Sequence, residues 1–127
     1  MGKGRGSAAV IPVAAAAAVL MAVVFFSGAA EAATYKVGDD GGWTFNVNAW
    51  PSGKAFRAGD TLVFNYDPSM HNVVAVNNVG YNRCSTPYRS PVYQSGGDRV
   101  TLRKGANYFI CNFPGHCQSG MKIAINA

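Results

Sequence analysis

The sequence has few of the residues that metal and catalytic sites most often need. Its 127 residues include three cysteines and two histidines. A structural zinc site takes four Cys or His ligands, and after one disulfide this chain offers at most one Cys and two His. If both histidines bind a metal, no histidine base is left for a nucleophilic triad. These shortages exclude a structural zinc domain and argue against an enzyme.

Charge is also sparse and dispersed. Charged residues make up 13% of the chain, which has a formal net charge of +5. Only Arg103 and Lys104 are adjacent bases, so the chain lacks the basic block that binds phosphate backbones, and we expect no nucleic-acid partner. The dispersed bases predict either a simply solvated surface or attraction to an acidic extracellular partner or polysaccharide.

The first 32 residues have the parts of a secretory signal peptide. Two basic residues precede an apolar, Ala-rich run over residues 8–26, and Ala30-Glu31-Ala32 fits the small-x-small rule for cleavage. We expect residues 1–32 to be the signal peptide and residues 33–127 to be a secreted domain. The alternative is an uncleaved signal anchor, because the apolar run nearly reaches the ~20 residues that a membrane-spanning helix needs.

Other common features of secreted proteins are missing. No hydrophobic tail precedes the final residues "MKIAINA", so we expect no lipid or membrane anchor. No N-x-S/T sequon is present, so N-glycosylation is not expected. The predicted domain has the size of a single sandwich or barrel, and we expect a monomer.

Residues 33–127 show a β pattern and no helical period. "TLVFNY" (61–66) and "RVTLRK" (99–104) alternate apolar and polar residues at the period of a half-buried strand. Four further segments predict strands: "TYKV", "HNVVAVN", "NYFIC" and "MKIAIN". Short strands separated by Gly, Pro and Asp turns favour an antiparallel β-sandwich, with residues 79–97 as its least regular part.

Three cysteines in an oxidising compartment can form one disulfide and leave one thiol over. The spare cysteine among Cys84, Cys111 and Cys117 is therefore inert and buried, paired to another chain, or held as a thiolate by a metal. The sequence around Cys111 favours the metal. Residues 111–121, "CNFPGHCQSGM", place a cysteine, a histidine and a methionine at equal intervals.

The strand pattern predicts where the two sulfur side chains of that loop point. Alternation puts Cys111 on the face of Phe109, and Met121 on the face of Ile123. Both sulfurs would face inward at one end of the sandwich, while a Pro-Gly turn between them presents His116. The second histidine, His71, begins the predicted strand "HNVVAVN", which is long enough to cross the core beside this loop.

A thiolate, an imidazole and a thioether form a soft ligand set that suits copper. One Cys and two His in a trigonal arrangement, with a distant axial Met, is the ligand set of a blue-copper electron-transfer site. The sequence resembles the plantacyanins, or plant basic blue proteins, of the phytocyanin branch of the cupredoxins. The resemblance spans most of residues 33–127 and rests on "GGWTFN", "WPSGKAFRAGD", "VFNYDPSMHNVV" and the C-x4-H-x4-M loop.

The resemblance implies an all-β, cupredoxin-like Greek-key β-sandwich. It implies one type 1 copper ion bound by His71, Cys111, His116 and Met121. Met121 stands where the related stellacyanins carry Gln. The resemblance also implies a disulfide between Cys84 and Cys117.

As a function, the resemblance implies a secreted carrier of single electrons in the plant cell wall. Electrons would pass through His116, beside Phe113 and Pro114, to a redox partner that the sequence does not name. An acidic cell-wall polysaccharide is a second expected partner. The alternative is an extracellular interaction or signalling module in which copper is secondary. We also expect a core built from the aromatic residues Trp43, Phe45, Trp50, Phe56 and Phe109.

Overall fold

Within the part of the chain that the structure describes, seven short strands make up two sheets that enclose the apolar core. The computed structural model describes residues 31–127, so the predicted signal peptide and its anchor alternative lie almost entirely outside the described residues. Within residues 31–127 no helix combines the length and apolar character needed to cross a membrane.

The strands alternate with turns along the chain. They are β1 (Thr34–Lys36), β2 (Thr61–Asn65), β3 (Val73–Val76), β4 (Val92–Tyr93), β5 (Gly97–Thr101), β6 (Ala106–Ile110) and β7 (Lys122–Asn126). One helix, α1 (Asn78–Arg83), follows β3, and short 3-10 turns occur at Asp39–Gly41 and Cys117–Ser119. One sheet has the strand order β1-β2-β5 and the other has the order β4-β3-β6-β7.

Alternating apolar residues place the core between the sheets. Leu62 and Phe64 on β2 are fully buried, as are Ile123 and, almost completely, Ile125 on β7. The residues between them on each strand are more exposed. Because successive side chains on a strand point to opposite faces, each sheet contributes one face to a shared apolar cluster. The prediction of an all-β sandwich is thereby confirmed.

The edge strand β1 differs from the expected antiparallel arrangement. It pairs in parallel with β2, in the register Thr34↔Thr61, whereas the other strand pairs among residues 31–127 are antiparallel. A parallel pair needs a long connection between its strands, and residues 37–60 supply it with loops and turns. The alternation pattern of a short strand does not encode the direction of its partner, so the sequence could not distinguish these arrangements.

A short helix occurs in the segment where the sequence showed no helical period. The side chain of Asn77 accepts a hydrogen bond from Gly80 N at 2.8 Å and caps the start of α1. Cys84 ends the helix in a left-handed conformation, with φ 53°. Six residues are too few to show a clear apolar period, so the local cap and the tertiary contacts define this helix rather than its composition.

The hydrophobic core predicts a large effect for one substitution. Phe64 is fully buried, with its ring 5.0 Å from that of Trp43 and 5.3 Å from that of Phe109. We expect Phe64→Ala to lower the free energy of unfolding by about 3 to 5 kcal/mol, because it leaves a cavity between the sheets. Chemical denaturation measures the change. The exposed Val79 provides the control, since Val79→Ala should change stability by no more than about 0.5 kcal/mol; equal effects of the two substitutions would contradict this description of the core.

Candidate metal centre

Three predicted site residues meet at one end of the sandwich. The donor atoms of His71, Cys111 and His116 all lie within 4.8 Å of one another. The two Nδ1 atoms of the histidines are 3.0 Å apart, and Cys111 Sγ is 3.6 Å from His116 Nδ1. The two imidazoles therefore approach each other through Nδ1, and in His116 this nitrogen also faces the cysteine sulfur. One sulfur and two nitrogens at these separations can face a single metal ion.

Strand pairing explains why the sequence-distant donors converge. His71 lies just before β3, and Cys111 directly follows β6. The two strands are antiparallel neighbours, with Val74 opposite Ile110. The start of one strand and the end of the other must then lie at the same edge of the sheet. His116 joins them from the loop that leaves β6.

The predicted fourth donor, Met121, ends this loop next to the same cluster. Its side chain is fully buried and belongs to the same core cluster as Cys111. Cys111 N donates a hydrogen bond to Met121 O at 3.1 Å, and Met121 N donates to His116 O at 3.1 Å. These two backbone hydrogen bonds join Met121 to Cys111 and to His116, and so close the loop. The inward orientation predicted for Cys111 and Met121 is confirmed by their burial.

A neighbouring segment supports the loop from its side. Asn46 N donates to Ser119 O at 3.1 Å, and Val47 N donates to Gly120 O at 3.0 Å. Gly120 has φ 83°, and a Cβ atom there would lie 3.0 Å from Asn46 Cα. Only glycine combines this conformation with such close backbone approach. The loop therefore has little freedom to move away from the segment.

Two asparagines link the histidine strand to the cysteine strand. Asn72 Nδ2 donates to Asn112 Oδ1 at 2.7 Å, and Asn112 N donates to Asn72 Oδ1 at 3.0 Å. Each asparagine is adjacent in sequence to one donor residue, His71 or Cys111. Asn72 is buried, and its carbonyl oxygen accepts a hydrogen bond from Trp43 Nε1 at 2.8 Å. Sequence reasoning missed this pair, although each asparagine adjoins a predicted ligand.

The disulfide leaves Cys111 free. Cys84 and Cys117 are bonded with an S–S distance of 2.07 Å, which confirms the pairing implied by the resemblance. The bond joins the end of α1 to the loop that carries His116. Cys111 is buried and unpaired within the described chain, so its sulfur remains available as a donor.

Burial shifts the pKa values of two of the donors, Cys111 and His71. It raises the pKa of the Cys111 thiol, while hydrogen bonds from the backbone of Asn72 and Phe113 act in the opposite direction. Burial and the nearby His116 lower the pKa of His71, and Asp67 partly offsets this effect. A neutral His71 keeps a lone pair for a metal. Because the pKa of the Cys111 thiol is raised, a nearby cation is needed to stabilise its thiolate. A bound metal ion would be such a cation.

Phe45 lies at the surface beside the histidines rather than in the core where it was expected. It is 39% exposed, and its ring is edge-on to those of His71 and His116, at centroid distances of 5.4 and 4.9 Å. Trp43 and Phe109 are buried as predicted, while Trp50 and Phe56 are partly buried and pack against the core. Composition alone does not separate an aromatic residue that covers a site from one that fills a core.

Comparison with known proteins agrees with this geometry. Residues 43–121 match the model of the plastocyanin-like domain family. The basic blue protein of Arabidopsis thaliana is 54% identical over 132 aligned positions, which cover 100% of this chain and 99% of that protein.

Two solved structures are also similar. Cucumber basic protein, described as a blue copper protein, has a TM-score of 0.74 and 66% identity, covering 74% of this chain and 98% of that one. Spinach plantacyanin has a TM-score of 0.64 and 63% identity, covering 68% of this chain and 93% of that one.

The fold and the donor set define a cupredoxin-like protein with one type 1 copper site. The chain belongs to the plastocyanin-like family of blue copper proteins, in its phytocyanin branch with the basic blue proteins and plantacyanins.

The asparagine pair predicts a coupled effect of two substitutions. Asn72→Ala and Asn112→Ala should each destabilise the protein, and the double variant should lose less than the sum of the two. The coupling energy should be about 0.5 to 3 kcal/mol, because the two side chains share the hydrogen bond from Asn72 Nδ2 to Asn112 Oδ1. Chemical denaturation of the four proteins gives this value. Asn82→Ala breaks an exposed Asn–Asn contact to Asn78 in α1 and serves as the control. Additive effects of the first two substitutions would contradict the proposed link.

Proposed function

We propose that this protein is a secreted carrier of single electrons whose copper ion alternates between Cu(II) and Cu(I). His71, Cys111 and His116 supply the close ligands, and Met121 supplies a weaker axial one. The observation that carries the proposal is the convergence of one buried sulfur and two imidazole nitrogens within 4.8 Å. This set is typical of electron-transfer copper, and it uses both histidines of the sequence, so no histidine remains to build a second copper centre for oxygen chemistry.

The protein's contribution is to hold the donors in one arrangement. The two oxidation states of copper prefer different geometries, so a flexible site would rearrange at each transfer. Here the donors are held by an antiparallel strand pair, a backbone-closed loop, a disulfide and the Asn72–Asn112 link. The burial of Cys111 and Met121 also excludes water from the sulfur side. Both features favour rapid transfer and tune the reduction potential.

His116 is the proposed route for electrons. It is only partly buried, whereas His71 is 7% exposed. Because Nδ1 of His116 faces the donor cluster, Nε2 lies on the opposite side of the ring. The Phe113 ring stacks on this imidazole at 5.6 Å, and Pro114 is exposed beside it. Together with Phe45, these residues form an apolar surface on which a redox partner can approach the ring edge.

The disulfide and the N-terminal sequence support secretion to the cell wall. A disulfide persists in oxidising compartments, and Cys84–Cys117 joins parts of the chain 33 residues apart. The sequence before residue 33 has the pattern of a cleaved leader. Outside the cell, the net positive charge would favour acidic polysaccharides as weak partners, an attraction that salt should reduce.

Removal of the thiol tests the copper role. We expect Cys111→Ser to abolish the intense visible absorption of the oxidised protein, because that absorption requires a copper–thiolate bond. The measurement is an absorption spectrum together with copper content per chain, which should be one in the unsubstituted protein. Met121→Gln is the matched control and should retain both the copper and an intense band. A blue Cys111→Ser protein would disprove the ligand assignment, and biological activity of the colourless variant would favour the interaction-module alternative.

A charge beside His116 tests the electron route. Pro114→Glu should slow electron self-exchange, because two approaching molecules would then bring like charges and bulk to the ring edge. The visible absorption should stay unchanged. Asn126→Glu adds the same charge at the opposite end of β7 and is the control. An exchange rate that Pro114→Glu lowers no more than Asn126→Glu does would refute this route.

A further inference from the structure

Asp60 is a buried carboxylate that contacts the beginning of the domain. It is 3% exposed. Its Oδ1 accepts a hydrogen bond from Ala33 N at 2.9 Å, and its Oδ2 accepts one from Arg57 N at 2.8 Å. These two backbone donors lower the pKa of Asp60, so the group is ionised at neutral pH.

No cationic side chain forms a salt bridge with this carboxylate in residues 31–127. The ion pair found in that range, between Lys36 and Asp40, involves exposed side chains. Arg57 binds Asp60 with its backbone N–H, and its exposed side chain adds only a weaker, longer-range attraction. Buried carboxylates are almost always paired with a cation or fully hydrogen-bonded. Asp60 therefore lacks a cationic partner within that range, and a positive charge on Ala33 N would supply one.

The sequence independently marks the bond before that nitrogen as a cleavage site. Ala30-Glu31-Ala32 fits the rule for signal peptidases, which places the cut between Ala32 and Ala33. In the precursor, Ala33 N is a neutral amide. Hydrolysis of the Ala32–Ala33 bond adds the hydroxyl of water to the Ala32 carbonyl and a hydrogen to Ala33 N. The amine then takes a proton from solvent and becomes an ammonium.

We propose that Asp60 is the receptor for the mature N-terminus, and that cleavage after Ala32 converts its hydrogen bond with Ala33 N into an ion pair. The amine that cleavage creates is then the one whose positive charge Asp60 can neutralise. Cleavage one residue earlier or later would move the amine by up to about 3.8 Å, the spacing of consecutive Cα atoms. It would then no longer coincide with the atom that faces Asp60.

The ion pair would strengthen the least supported strand of its sheet. β1 is a three-residue edge strand, paired only to β2. Ala33 O accepts a hydrogen bond from Thr61 N at 2.9 Å, directly before the first β1 pair, Thr34↔Thr61. Asp60 also connects to the opposite edge of the sheet, because its carbonyl oxygen accepts from Leu102 N at 2.8 Å. An ion pair at Ala33 would therefore link both edge strands through one residue.

The test compares chains that differ only in the charge at Ala33. A chain of residues 33–127 is a suitable object, since residues 32–127 form their own compact unit, and cucumber basic protein, a solved structure, is covered to 98% by 74% of this chain. Acetylation of the Ala33 amine retains an N–H donor and removes the charge, so it reproduces the amide of the precursor. We expect acetylation to lower the melting temperature by several degrees. In the free-amine chain, NMR titration should place the pKa of the amine above its ordinary range of about 7.7 to 8.0.

Substitution of Asp60 identifies the partner. In an Asp60→Asn chain, acetylation should no longer change the melting temperature, and the amine pKa should return to its ordinary range. Asp40→Asn removes an exposed carboxylate from the same segment and should preserve both effects. If Asp60→Asn prevents folding, the acetylated and free-amine chains with Asp60 intact, compared at low and high salt, still decide, because only a charge interaction weakens with salt.

N-terminal sequencing of the protein secreted from the full-length precursor gives the second readout. We expect it to begin with Ala33. An acetylated chain as stable as the free-amine chain, an unshifted amine pKa, or a mature protein that begins at another residue would each overturn the proposal. None of these results bears on copper binding, so failure of this proposal is distinguishable from failure of the proposed electron carrier.

Discussion

The antiparallel pairing of β3 with β6 is the constraint on which the copper site depends. It places the start of one strand and the end of the other at the same edge of a sheet, and so brings His71 to Cys111 across 40 residues of sequence. The hydrogen bonds between Asn72 and Asn112 hold the two donor-bearing segments together one residue further along each. The loop adds His116 and ends at the buried Met121, directly before β7. A metal ion therefore meets a donor set whose positions the sheet has already determined.

The rest of the fold limits movement around this edge. The Cys84–Cys117 disulfide joins α1 to the loop, and Lys122 binds the same helix through Tyr81 O at 3.0 Å. The segment at Asn46 and Val47 contacts the loop from another side. These contacts restrain the segments that carry the donors, while His116 and Phe113 are partly exposed and Phe45 is 39% exposed. Rigidity and a partly exposed ligand ring are the properties that the proposed electron carrier requires of its protein.

Much of this arrangement can be predicted from sequence, because its signals are local. The spacing of Cys111, His116 and Met121 identifies the loop, and strand alternation correctly predicts that both sulfurs face the core. The three cysteines leave one free thiol, and the structure shows that it is Cys111. The burial of Leu62, Phe64 and Ile123 follows the same period-two pattern.

Features that depend on tertiary contacts could not be read in this way. The parallel pairing of β1 depends on the path of residues 37–60, and α1 depends on its Asn77 cap and its disulfide rather than on an apolar period. Phe45 and Trp43 are both aromatic and lie two residues apart in the sequence. Yet Phe45 covers the histidines, whereas Trp43 fills the core. The same holds for Asp60, whose role depends on which backbone nitrogen lies opposite it.

The central claim is that one sulfur and two imidazole nitrogens hold copper in both oxidation states with little rearrangement. X-ray absorption spectroscopy of the copper in oxidised and reduced samples tests it most directly. We predict one short copper–sulfur distance and two copper–nitrogen distances that remain nearly the same after reduction. A spectrum without a short sulfur contact, or one in which a nitrogen ligand is lost on reduction, would contradict the account.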